Sequence, residues 1–160
     1  MPHVTIEYVI MMPILILQIF LFPLTAGWLM NVWVDSRRTL AVQDIASHLG
    51  STVQQLYFSL NHETIPAGKA KYAPGLPPYI EDNPYIGNAT IHAVLGATPN
   101  SSKILEIAVR LVATKIQVVT SVVLGPNALW HESVFASNST SAYVSAEKLP
   151  DGTISLSFGG

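Results

Sequence analysis

From Tyr8 to Val34 the chain carries no Asp, Glu, Lys or Arg. As a helix, these roughly 27 residues rise ~40 Å, more than the ~30 Å hydrocarbon core of a bilayer. A run so long and so apolar leaves few folds open. It must lie in a membrane or be covered by other protein. A cleaved secretory signal fits poorly, because its apolar region spans only ~7–15 residues and follows a basic start. No Lys or Arg precedes Tyr8.

Pro13, Pro23 and Gly27 interrupt this run. Each proline removes a backbone donor and crowds the preceding turn, which predicts a kink or a short unwound stretch. Gly27 weakens the helix further. Such breaks are tolerated in a bilayer only where neighbours satisfy the freed backbone groups. The segment is therefore expected to end up packed against protein.

Downstream, an amphipathic pattern begins. Val42, Ile45, Leu49, Val53, Leu56 and Leu60 recur at steps of three and four, with Gln43, Asp44, Ser47, His48, Ser51, Gln54 and Gln55 between them. That is one apolar stripe on a helix with a polar back. Asp35, Ser36, Arg37 and Arg38 mark the passage from oil to water. The expectation is one nearly continuous helix from about Val4 to about Asn61, ~85 Å if straight, with Gly50 as its weak point.

Four segments follow from this reading. Residues 1–34 form the hydrophobic helix, and residues 35–62 its amphipathic continuation. Residues 63–87 read as a linker, because Pro66, Pro74, Pro77, Pro78 and Pro84 punctuate them. Residues 88–160 read as a β domain. There the period changes to two: Leu105, Ile107, Val109 and Leu111 alternate along one stretch, Ile116 to Leu124 along another, and Ile154, Leu156 and Phe158 along a third. Thr90–Leu95, Leu129–Ala136 and Ala142–Lys148 are further candidates. Thr98-Pro99-Asn100, Gly125-Pro126-Asn127 and Pro150-Asp151-Gly152 supply turns between them. The predicted class is α+β, a long N-terminal α-helix packed on a C-terminal antiparallel β-sheet of five or six strands, its inner face covered by the 42–60 stripe.

Glu7 is the residue with the most chemical information. A lone carboxylate at the head of an apolar helix costs at least ~2.5 kcal/mol when unpaired in the membrane. Two readings account for it. It pairs with the N-terminal ammonium of a neighbouring copy, or it sits in the interfacial layer near water.

The stretch Val4-Thr5-Ile6-Glu7-Tyr8-Val9-Ile10, followed by Met12-Pro13-Ile14-Leu15, resembles the start of type IV pilins, and is also similar to Tad-type pilin-related proteins. The resemblance is specific over about the first 35 residues and architectural beyond them. It implies a filament in which apolar helices pack in the core and β domains form the outside. It assigns Glu7 to the pairing with a neighbour's N-terminus. It also implies a membrane-inserted stage, a prepilin peptidase and a pilus assembly machinery as partners. A basic leader removed by that peptidase would reconcile Arg37 and Arg38, which follow the apolar run, with an outward-facing C-terminal domain. A chain beginning at His3 has the family's spacing to Glu7; one beginning at Met1 places it slightly deeper.

Three sequons occur, at Asn88-Ala89-Thr90, Asn100-Ser101-Ser102 and Asn138-Ser139-Thr140. They predict N-linked glycans on an extracellular surface and turn the resemblance toward archaeal pilins. The low charged fraction of 11% leaves solubility to hydroxyls or sugars. A net charge of −2 offers no nucleic-acid surface. With no cysteine and no His pair at helical metal-ligand spacing, neither a metal site nor another cofactor is expected. No catalytic motif is recognisable, so an enzyme is the least expected class. The leading expectation is an extracellular filament subunit for adhesion or surface attachment. The alternatives are a single-pass anchor for an extracellular β domain, or a minor pseudopilin of a secretion system.

Overall fold

The computed structural model describes residues 3–94 and 101–160, with side chains of the first helix described from Val9 onward. The described chain divides after Arg37 into two compact units. A single helix, α1 (His3–Leu60), runs without a break through Pro13 and Pro23. No unwound stretch interrupts it there, and the nearly continuous helix expected from about Val4 to about Asn61 is found. Each proline removes one backbone hydrogen bond, and the Leu- and Ile-rich turns on either side continue the helix.

In the second unit, α1 presents Val42, Ile45, Ala46, Leu49, Val53, Tyr57 and Leu60 as buried residues. Tyr57 takes the place expected for Leu56, which is only partly covered. Gly50, expected as a weak point, is a close approach instead. A Cβ there would lie 3.3 Å from Val122 Cγ1 and 3.5 Å from Thr120 Cγ2.

The strands are β1 (Gly68–Tyr72), β2 (Tyr85–Ala93), β3 (Lys103–Leu111), β4 (Gln117–Leu124), β5 (Ala128–Trp130), β6 (Val134–Ala136), β7 (Tyr143–Lys148) and β8 (Ile154–Gly159). They form two four-stranded sheets, β1-β7-β8-β5 and β4-β3-β2-β6. All pairs are antiparallel except β5 with β8. The class is α+β as expected, but the single antiparallel sheet of five or six strands is corrected to two sheets. The cause lies at residues 129–136. That stretch breaks around His131, and its halves join different sheets. Within the break, the His131 amide donates to the Leu156 carbonyl (2.9 Å), and the Phe158 amide donates to Ser133 Oγ (2.8 Å).

The proline-punctuated segment 63–87 also differs from a plain linker. Between Pro66 and Pro74 it contributes β1, which pairs with β7 from Gly68↔Lys148 to Tyr72↔Val144. An edge position suits a short strand flanked by prolines. Further along, Ile80 and Asn83 exchange backbone hydrogen bonds of 2.9 and 3.0 Å around Glu81 and Asp82, both at positive φ (45° and 64°). Arg38 Nε holds this turn through Glu81 Oε2 at 2.7 Å. Tyr85 then enters the core. Its hydroxyl donates to the Pro77 carbonyl (2.8 Å), and burial pushes its pKa up to about 12.

The two sheets and the helix share one apolar core. Alternation sends Leu105, Ile107, Val109 and Leu111 inward from β3, and Ile154, Leu156 and Phe158 inward from β8. Phe135 joins the aromatic contacts, stacked on Tyr85 at 6.4 Å and edge-on to Phe158 at 5.8 Å. At the end of α1, Asn127 ties three elements together. Its Oδ1 accepts from the Tyr57 hydroxyl, and its Nδ2 donates to Asn61 Oδ1 and to the Gly152 carbonyl, each at 2.8 Å. Lys148 Nζ reaches the carbonyls of His62 (2.9 Å) and Ile65 (2.8 Å) just beyond the helix, where a cation is favourable.

Removing this clasp should be costly, because it leaves partly buried polar groups unpaired. Asn127→Ala is expected to destabilise the β domain by about 2–3 kcal/mol. Thermal unfolding followed by circular dichroism in detergent should show a midpoint lower by several degrees. An unchanged midpoint would contradict the role given to Asn127.

Candidate assembly surface

The first unit consists of α1 alone, and none of its described apolar side chains is buried. Phe20, Phe22, Leu24 and Trp28 are each about two-thirds or more exposed (69, 75, 71 and 67%). Successive helical residues turn by ~100°, so the run Phe20-Leu21-Phe22-Pro23-Leu24 places oil on every face. This is not an amphipathic stripe. A helix hydrophobic all round is a buried helix, in a membrane or inside a protein assembly. Its most apolar window has a mean hydropathy of 2.3, enough to cross a bilayer by length and composition.

Polar groups are few here. Gln18, Thr25 and Asn31 are the polar side chains between Val9 and Val34. The Thr25 hydroxyl donates back to the Leu21 and Phe22 carbonyls, both at 3.0 Å. It is thereby satisfied within its own helix, two residues past Pro23. Gly27 has nothing within 4 Å of the position a Cβ would occupy. It leaves a flat spot on a helix otherwise lined with large side chains. Pro13 and Pro23 are exposed on the same stretch. Next to the end of the apolar run at Val34, the Trp33 ring lies 4.9 Å from the Arg37 guanidinium carbon. A cation over an indole at the edge of an apolar segment suits a boundary between oil and water.

Glu7 lies in the backbone of α1, but its side chain is outside the described residues. The three sequons fall differently from one another. Asn138 sits in the turn after β6 and is exposed. Asn88 is also exposed, yet it lies in mid-strand on β2, opposite Ala108 on one side and Val134 on the other. The strand expected from Thr90 begins at Tyr85 instead, so Asn88 falls inside it. Asn100 lies outside the described residues.

No group of three or more His, Asp or Glu suited to a metal ion occurs among the described residues. His92 meets Thr90 Oγ1 (3.2 Å) and lies 3.9 Å from Glu106 Oε2 on the open face of the sheet. Hydropathy alone marks the bare helix. It does not mark Asn127, Tyr57 or Lys148, which fasten the end of α1 to the β domain. The Gly125-Pro126-Asn127 turn was legible, but its side-chain partners lie far away in sequence. Comparison with protein-family models, with curated proteins and with solved structures found no match.

Proposed function

We propose that this chain is a structural subunit of an extracellular filament of the type IV pilin kind, assembled by packing of its N-terminal helices. One observation carries this reading. The same helix is covered by its own domain from Val42 to Leu60 and bare on every face from Val9 to Trp33. Lipid covers the bare part before assembly, and copies of itself cover it afterwards. Pro13, Pro23 and Gly27 belong to this account as sites of close approach or local adjustment during packing. The β domain then forms the outer surface, with adhesion or surface attachment as its use. The prepilin peptidase and the assembly machinery remain partners implied by the resemblance at Val4–Leu15.

A second reading, a single-pass anchor for an extracellular β domain, rests on the same bare helix. A pseudopilin of a secretion system shares the features as well. What favours a filament over a plain anchor is Glu7 paired with a neighbour, together with the internal prolines, whose freed backbone groups protein neighbours would satisfy. In the filament the Glu7 carboxylate pairs with the N-terminal ammonium of a neighbour. Glu7→Ala is expected to reduce filament yield in sheared surface material by tenfold or more, with the chain still present in the membrane fraction. Normal filament yield from this variant would defeat the pairing.

Asn88, Asn100 and Asn138 are proposed as N-glycosylation sites of that outer surface. Intact-mass measurement of native material should show glycan mass. Asn88→Gln, Asn100→Gln and Asn138→Gln should each remove one glycan. A native mass equal to that of the bare polypeptide would rule the glycans out.

A further inference from the structure

Four strands edge the two sheets, and they are unequal. β5 and β6 have three residues each. β1 has five, with Lys69 and Lys71 on it. β4 has eight, Gln-Val-Val-Thr-Ser-Val-Val-Leu, with no charge, proline or glycine. Natural sheets protect an open edge by shortness, lysine, proline or a bulge. β5 and β6 are short and β1 has its lysines. β4 uses none of these devices, and helix α1, which packs against it at Gly50, bonds to its outward edge at the Val123 carbonyl through Gln54.

The hydrogen-bonding phase of β4 follows from its neighbours. The Leu111 amide donates to the Ile116 carbonyl at 3.1 Å. Because bonding alternates along an antiparallel pair, residues 118, 120, 122 and 124 bond inward to β3. The backbone groups of Gln117, Val119, Ser121 and Val123 therefore point away from the sheet. Gln54 Nε2 donates to the Val123 carbonyl at 3.3 Å, as this phase requires. Among the described residues nothing bonds to the outward amides and carbonyls of Val119 and Ser121. Val119 is also 55% exposed on the open face of the sheet.

We propose that β4 is a homophilic docking edge, pairing antiparallel with β4 of a second copy in a register centred on Val119. This register is chosen by the one carbonyl already occupied. It sets Val119 opposite Val119 of the other copy and Gln117 opposite Ser121, and it leaves Val123 with Gln54. On the inner face, Val118 meets Thr120. Every cross-strand pair is then β-branched or a small hydroxyl beside an amide, without like charges opposed. About six backbone hydrogen bonds form. A charged or foreign strand has no complementary charge to meet on this edge, whereas the edge complements itself.

The contact is small. One strand pair buries far less than the ~1,200 Å² of a stable standard interface, so two isolated copies do not stay together through it. Repetition changes this. If the filament reading above holds, many edges lie along one polymer and act together. A twofold contact cannot recur along a polar filament whose subunits all point one way. It therefore joins subunits of different filaments, and the edge is a device for lateral association.

The chain has no cysteine, which allows a clean test on filaments sheared from cells. Val119→Cys should form a disulfide-linked dimer on mild oxidation, since directly opposed residues have Cβ atoms ~4.5–5.5 Å apart. Val134→Cys is the control, being equally exposed (55%) on β6. It should give at least tenfold less dimer. Val119→Lys should leave filaments intact but separate under the electron microscope, while Val134→Lys should leave them bundled. Equal cross-linking at both positions, or bundling by Val119→Lys filaments as by the unaltered chain, would overturn the proposal. Absence of filaments from the unaltered chain defeats the filament reading instead. Oxidation traps even brief pairing, so the Val119→Cys dimer assayed in membranes then decides the edge by itself: an excess over Val134→Cys upholds the pairing and equal or no cross-linking ends it.

Discussion

An apolar helix with no partner of its own governs everything else in this molecule. Each large side chain from Val9 to Trp33 faces outward. Leaving a Leu or Phe in water rather than burying it forgoes about 1.5–3 kcal/mol. Across such a segment that sum exceeds the 5–15 kcal/mol by which a typical domain is stable. The chain must therefore always be covered there, by lipid or by protein. The second half of α1 solves the same problem internally, by placing Val42 to Leu60 beneath two sheets.

The β domain depends on how firmly that second half is held. Asn127, Tyr57 and Asn61 join the helix end to the β4–β5 turn and to the β7–β8 hairpin. Lys148 adds a cation at the helix end. Gly125 makes the clasp possible, since a Cβ there would collide with the Tyr57 hydroxyl. The domain is thus fastened to the end of α1 at several points rather than by a single link.

Much of the architecture was legible from periodicity. The step of three and four from Val42 onward, and the alternation in β3, β4 and β8, each report a one-sided environment. What was not legible depends on partners distant in sequence. β1 hides among prolines because its pairing with β7 is made more than seventy residues away. The stretch 129–136 divides because its halves are claimed by β8 and β2. Gly50 reads as a defect until Val122 and Thr120 are seen above it. Tyr57 replaces Leu56 in the core because a helix stripe drifts with the 3.6-residue turn. From Val9 to Val34, hydropathy identified the bare helix and its length. The continuity of α1 from His3 to Leu60 was legible too, but not whether Pro13 and Pro23 would unwind a turn within it.

The account stands on one claim, that copies of this chain cover one another from Val9 to Trp33. Cryo-electron microscopy of material sheared from cells, with the polypeptide identified by mass spectrometry, tests it most directly. The account predicts helical filaments whose axis is a bundle of α1 helices, with residues 9–34 inside and β domains outside. A chain found only in the membrane fraction, as single copies with residues 9–34 against lipid, would contradict it.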